Sequence, residues 1–296
     1  MVDCPRADCP TARGVDSPAL RRAPHRTARG LRLWLASAVA ALGCANAATH
    51  ETTVLAKVPE RIVILPLNVA TPMPAELKSA SPAVWSALEV YLRAHGAALK
   101  TVSYPTARAL WLASIRDARA DPKQKEPGFD DAARLLVGKL KPYADFDAMI
   151  VPSLYLQRAI LSGTTATWDG SERTLAIETR RGEGPVPSDA SIEGAVPAVS
   201  LHAVVFNADG AKLHEGRAGL ALLVRARISR PSAPNDAPDF SFVALGDPFE
   251  DRAFLMRETA KTLAPFVPLL PANQLAELSA RIKSSPQAPA VEGSPP

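Results

Sequence analysis

Two aspartates and two histidines are the residues whose types and spacing come nearest to chemistry. Asp145 and Asp147 bracket Phe146 just ahead of an apolar stretch. Paired carboxylates of this kind perform acid/base work or hold a divalent cation. A strand entrance accounts for them equally well, as a turn residue and a strand cap, and that is the reading expected here. His202 and His214 fall on opposite arms of an expected hairpin. Direct pairing of the two imidazoles would let them share a metal; a slip of one residue would put them on opposite faces of the sheet. Only Glu215 lies close by, so two ordinary strand histidines are expected. "HEGRA" is not H-E-x-x-H, since position 218 is Ala.

Arg225, Arg227 and Arg230 alternate along one segment, and Arg180 and Arg181 precede them in the chain. Such a basic row suits phosphate, lipid headgroups or cell-wall carboxylates, although a charged sheet edge that deters pairing is the default. Asp169 and Glu172 belong to a turn and are expected to face water. Trp85 and Trp111 sit at helical spacing and are expected in the core. No phosphate loop, dinucleotide fingerprint or nucleophile elbow occurs. The expectation is therefore no catalytic residue, no cofactor and no metal.

The remaining chemistry-bearing residue is Cys44. "LWLASAVAALGCANAATH" (33–50) contains an uncharged apolar run from Leu33 to Gly43, too short for the roughly 20 residues of a spanning helix. Arg21, Arg22, Arg26, Arg29 and Arg32 precede it. A positive flank, a short apolar core and small residues at its end describe a secretory signal peptide. Two cleavage sites compete. Ala45-Asn46-Ala47 fits the ordinary small-x-small rule. Ala41-Leu42-Gly43-Cys44 resembles a bacterial lipobox, with Ala41 where leucine is usual, and implies cleavage before an acylated Cys44. The other cysteines are Cys4 and Cys9, so nothing beyond Cys44 carries a thiol. That favours a lipid anchor on Cys44. By the same resemblance, Ala45 in place of aspartate implies sorting to the outer membrane, with a soluble periplasmic protein as the alternative. The leader is over-long, and a start near Val15 is expected.

Of 34 Lys+Arg and 30 Asp+Glu, seven and three lie in residues 1–44, which leaves 27 of each beyond. The body is charge-balanced. It lacks the basic surplus that nucleic-acid binding draws on, and its scarce aromatics argue against stacking platforms. No nucleic-acid partner is expected, and the membrane is expected to be met through the lipid alone.

Along the chain, residues 45–58 read as a tether. "RIVILPLNV" (61–69) is a continuous apolar run, hence a buried strand. Ser81-Pro82 opens a helix with Val84, Leu88, Tyr91 and Leu92 on one face, closed by Gly96. Residues 98–104 read as a strand, 106–120 as a helix with Ala107, Leu110, Trp111, Ser114 and Ile115 inward, and 129–140 as a helix capped by an aspartate. A long strand covers 146–161, where Pro152 predicts a bulge or an edge. Asp169-Gly170 marks a hairpin, within a stretch 162–199 expected to be a flexible insertion. A second hairpin turns at 207–210, its return arm alternating Leu220, Leu222, Val224, Ala226 and Ile228. Asp247-Pro248 predicts a helix cap, Pro265 ends that helix, and a short helix follows from Ala272. Residues 284–296 form a Pro-rich tail with no core to bury.

The order predicts a single α/β domain over 59–283, a mixed sheet with helices packed on it. "RIVILPLN", the capped helix ending in Gly96, and "LVGKLKPYADFDAMIVPSLYL" followed by a long hairpin and a closing helix resemble a bacterial envelope group. It comprises the curli-secretion lipoprotein, the lipoprotein activators of penicillin-binding proteins and the TolB-type N-terminal domain. The resemblance spans about residues 60–268 and places Asp147 at the group's aspartate position. It implies a binding or assembly module for an envelope protein or peptidoglycan partner, with homo-oligomeric rings as a possible assembly. A periplasmic hydrolase or metal-dependent enzyme using Asp145, Asp147 and one histidine is the alternative.

Overall fold

The computed structural model describes residues 58–79, 81–120, 128–179, 192–229 and 239–282, all within the compact unit 50–296. Its architecture is mixed α/β, a seven-stranded sheet with helices on both faces. β1 (Arg61–Ile64) pairs in parallel with β2 (Ala98–Thr101) on one side and β3 (Ala148–Ser162) on the other. The unbroken run of apolar residues has a plain cause, because β1 is covered twice. Ile62 and Ile64 pack against α1 (Ser81–Ala94), α4 (Arg252–Leu263) and α5 (Ala272–Ser279). Val63 and Leu65 pack against α2 (Tyr104–Ala120) and α3 (Phe129–Leu140). Parallel strands buried on both faces need side chains that are apolar throughout.

β3 pairs antiparallel with β7 (Glu193–Asn207) along all 15 of its residues, from Ala148↔Asn207 to Ser162↔Glu193. β8 (Lys212–Leu222) continues the meander beyond β7. Pro152 lies in the middle of this ladder, opposite Ala203, with neither bulge nor full edge. The reason is local. Leu65 N–H donates to Ile150 O and Asn68 N–H to Pro152 O, so these β3 groups point to the side where β1 stands. The β1 ladder stops at Ile64↔Ile150. Beyond it Asn68, in the left-handed region at φ 59°, clasps β3 through its side chain: Nδ2 donates to Leu154 O and Oδ1 accepts Leu154 N–H, each at 2.8 Å. The absent N–H of Pro152 therefore falls where β1 has already left, which a proline tolerates.

The stretch 162–199 is largely strand among its described residues. After a turn at Gly163, β4 (Thr165–Trp168) returns along the end of β3 and β5 (Ser171–Thr174) along β4. The Asp169-Gly170 hairpin is present, with φ of 43° and 70°. β6 (Ile177–Thr179) joins a second sheet in the order β10-β9-β6, where β9 is Val224–Ser229 and β10 is Asp239–Ala244. The return arm expected to run unbroken through Ile228 is thus divided after Leu222, its last residues leaving for the second sheet. Residues 180–191 lie outside the described set, as do the leader with Cys44, the tether to residue 57 and the tail from 283.

Helix starts follow side-chain chemistry. Ser103 Oγ accepts Thr106 N–H at the head of α2, and Asp131 Oδ2 accepts Gly128 N–H at the head of α3. α4 departs from expectation: Asp251, not Asp247, is its cap, accepting Phe254 N–H at 2.9 Å. Asp247 instead accepts Phe249 N–H in a local turn and pairs with Arg252. A cap needs its oxygen two or three residues ahead of a free helical N–H. Pro248 moved the expectation one turn too early.

Candidate functional site

The aspartate pair is a clamp on one arginine. Asp147 takes Arg61 through Nη2 at 2.6 Å and through the backbone N–H at 3.0 Å, while Asp145 takes Nη1 of the same guanidinium. The hydrogen bond from Arg61 holds the Asp147 carboxyl below the ordinary carboxylate range. Both acids thereby tie the start of β1 to the start of β3, and neither histidine is among their partners.

The hairpin register separates the histidines. His202 stands opposite Arg217 and His214 opposite Val205, so their side chains leave opposite faces of β7–β8. His214 is buried on the α4 face, its Nε2 2.8 Å from Thr262 O. Among the described residues no group of three His, Cys, Asp or Glu side chains is placed to hold a metal ion.

His202 belongs instead to a polar belt on the α2/α3 face of the sheet. Its Nε2 lies 3.0 Å from Glu215 Oε1, and Lys212 Nζ reaches both Glu215 Oε2 at 3.1 Å and Asp130 of α3 at 2.9 Å. Further along, Tyr155 stands opposite Ser200, and both hydroxyls donate to Asp169. Asp169 therefore does not simply face water, whereas Glu172 is exposed. Burial pushes the Tyr155 phenol up to about 12, with Asp169 adding to the shift, so it remains a donor at neutral pH. For Glu215, desolvation is outweighed by the hydrogen bonds from Lys212 and His202, and its carboxyl stays below the usual range. Burial lowers the His202 pKa, against the pull of Glu215 and with help from Arg217 and Lys212. The imidazole is therefore harder to protonate in the folded protein than in the unfolded chain. The unfolded chain takes up a proton near pH 6.5, so the stability linked to His202 is present above that pH and declines as pH falls below it. Urea unfolding across pH 7 to 5 is expected to show this slope, and His202→Gln is expected to flatten it.

The arginine row is paired too: Arg225 and Arg227 both meet Glu178 of β6, at 3.2 and 3.1 Å. Arg180, Arg181 and Arg230 lie outside the described residues. Trp111 is core on the α2/α3 face, and Trp85 is half-buried against the opposite cluster.

Sequence reasoning passed over the most tightly built polar site. Glu258 of α4 is wholly buried. It accepts Ser171 Oγ at 2.7 Å, Arg257 Nε at 2.9 Å and Lys261 Nζ at 3.0 Å, while Ser171 Oγ also accepts Gly219 N–H from β8. This knot draws the start of β5 to β8, so the far end of the main sheet curls around Trp168, whose indole N–H donates to Val199 O. The i, i+3 spacing of Glu258 and Lys261 is a signal, but it reads as a solvated helix pair. Burial was not legible from it.

The fold defines a three-layer α/β domain with an antiparallel extension that curls on itself. Compared with protein-family models, with curated proteins and with solved structures, the chain matches none. Among the described residues, no helix is long and apolar enough to cross a membrane.

Proposed function

We propose that this chain is an exported envelope lipoprotein, anchored through Cys44, whose α/β domain is a binding or assembly module for a protein or cell-wall partner. The export reading rests on the leader described above. The binding reading is supported by one structural observation, the outer half of the β3–β7 ribbon, whose Leu156 and Ile160 face is covered by no helix among the described residues. There Leu156 is 41% exposed and Ile160 58%, on the same face of β3. Ala195 and Pro197 of β7, both exposed, stand on that same face opposite Ile160 and Arg158. Neighbouring branched apolar side chains left in water on a paired strand support the reading of an interaction surface. The hydrogen-bonded ladder beneath holds them in a fixed array, so little ordering is needed on binding.

Chemical crosslinking in intact cells, followed by capture of the lipoprotein, tests this. The wild type is expected to give a discrete crosslinked species, with a partner or with itself. Leu156→Lys combined with Ile160→Lys is expected to abolish it with the thermal midpoint little changed, because both side chains already face water. Retention of the same crosslinks by a folded double variant counts against the surface. The hydrolase reading loses its geometric footing, since Asp145, Asp147, His202 and His214 do not converge.

A further inference from the structure

The exposed ribbon face matches itself. Its side chains are fixed by the register, because cross-strand neighbours leave a sheet on the same side. Ala195, Ile160, Thr167 and Glu172 form one rung across β7, β3, β4 and β5. Pro197 and Arg158 form the next rung on one side of it, and Glu193 and Ser162 the next on the other. All of these residues are exposed. On the reverse of the same strands Leu161, Trp168 and Val196 are buried in the cluster that includes Phe254. An antiparallel sheet open on one face ordinarily carries polar residues there. Ile160, Ala195 and Pro197, with Leu156 beyond them, break that pattern. Arg158 and Glu193 stand two residues to either side of the Ile160–Ala195 rung, on different strands, and neither has an ion-pair partner among the described residues.

We infer, on the reading of this ribbon as an interaction surface, that it binds a second copy of the chain, sheet against sheet, about a two-fold axis along the Ile160–Ala195 rung. A two-fold contact presents one patch to itself. With the axis on that rung, Ile160 packs on the partner's Ile160, and the rungs on either side change places. The Arg158–Pro197 rung then lies over the rung of the partner's Glu193. Facing sheets stand about 10 Å apart, a gap that an arginine and a glutamate close between them. Symmetry forms the Arg158–Glu193 pair twice. Exposed pairs of this kind set register and partner choice more than affinity; the apolar side chains between them supply the contact. An unrelated partner must bring a matching acid and base in this order, whereas a second copy already carries them. At the far end of the rung Glu172 meets the partner's Glu172, and that contact opposes pairing.

The test uses two differently tagged full-length copies expressed in the same cells, recovered in detergent and captured on one tag. Wild type is expected to bring down wild type. Leu156→Lys with Ile160→Lys in both copies is expected to bring down none, which excludes shared micelles. Arg158→Glu in both copies is expected to reduce co-capture about tenfold through like-charge contact, and Glu193→Arg in both copies to do the same. One copy of each is expected to restore it, since every such contact in the mixed dimer joins opposite charges. Glu172→Gln is expected to strengthen it. Thermal melting followed by circular dichroism checks that each variant is folded. Wild-type copies that do not co-purify overturn the inference. So does co-capture that is indifferent to the charge reversals, is not restored by mixing them, or is weakened by Glu172→Gln. A crosslinked species containing a different protein, lost in the Leu156→Lys/Ile160→Lys variant, leaves the interaction surface standing while the second copy falls. Crosslinks that survive that variant remove the surface itself.

Discussion

Gly216→Ala is expected to lower the unfolding free energy by about 3 kcal/mol, the upper range for overpacking. A Cβ at position 216 would overlap the carbonyl oxygen of Thr262 and approach His214 Nε2 to 2.7 Å. Thr262 belongs to α4, so the obstacle is helix backbone and cannot swing aside as a side-chain tip would. Either α4 lifts from β8 or β8 bends, and in both cases the His214–Thr262 hydrogen bond at 2.8 Å is strained. The apolar cluster beneath α4, with Leu255, Met256, Ala260 and Leu263, opens with it. Gly138→Ala supplies the control. It lies in α3 with open space around its Cβ position, and the better helix former is expected to stabilise the protein by up to about 1 kcal/mol. Urea unfolding followed by circular dichroism measures both.

Removal of the Glu258 carboxylate should have an effect of the same size. Glu258→Ala is expected to cost about 3 kcal/mol, the upper range for leaving a buried polar group without its partner. Arg257 and Lys261 are about half exposed and return to water. The loss therefore falls on Ser171, left without its acceptor, and on the space vacated between α4 and the β4–β5 hairpin. Ser171→Ala alone is expected to cost less. The double variant should cost less than the sum of the singles, because the two residues share one hydrogen bond. Additive effects would mean that the carboxylate does not hold the hairpin. Since the hairpin closes the end of the ribbon that carries Leu156 and Ile160, Glu258→Ala is also expected to increase amide exchange in β4 and β5.

Legibility followed the range of the forces involved. The Ser81-Pro82 start, Gly96 at φ 78° and the Asp169-Gly170 turn were readable because each is fixed by neighbours in the chain, and the β1 run because cover on both faces leaves it apolar throughout. Pro152 misled because the feature that accommodates it, Asn68 reaching across from β1, lies 84 positions away in sequence. The split of the return arm after Leu222 depends on which strand β9 finds as a partner, and alternation of apolar residues does not encode that. Gly216 and Gly219 were overlooked for the same reason. Glycine in a strand says that something comes close, but not that one admits the α4 backbone and the other the Trp168 ring. At the candidate site, residue types were legible and partners were not. Asp145 and Asp147 read as a turn residue and a strand cap, but the partner that holds them, Arg61, lies 84 and 86 positions away in sequence. Glu258 was not singled out, because the Ser171 hydroxyl that meets it lies 87 positions away in sequence.

Mass spectrometry of the N-terminus of the protein recovered from cell membranes decides whether Cys44 is the anchor. The expected chain begins at Cys44 and carries the added mass of a thioether-linked diacylglyceryl group, with or without an amide-linked acyl chain. A chain recovered from the cytosol with residues 1–43 still attached would contradict it, and an unmodified N-terminus at Ala48 would remove the anchor.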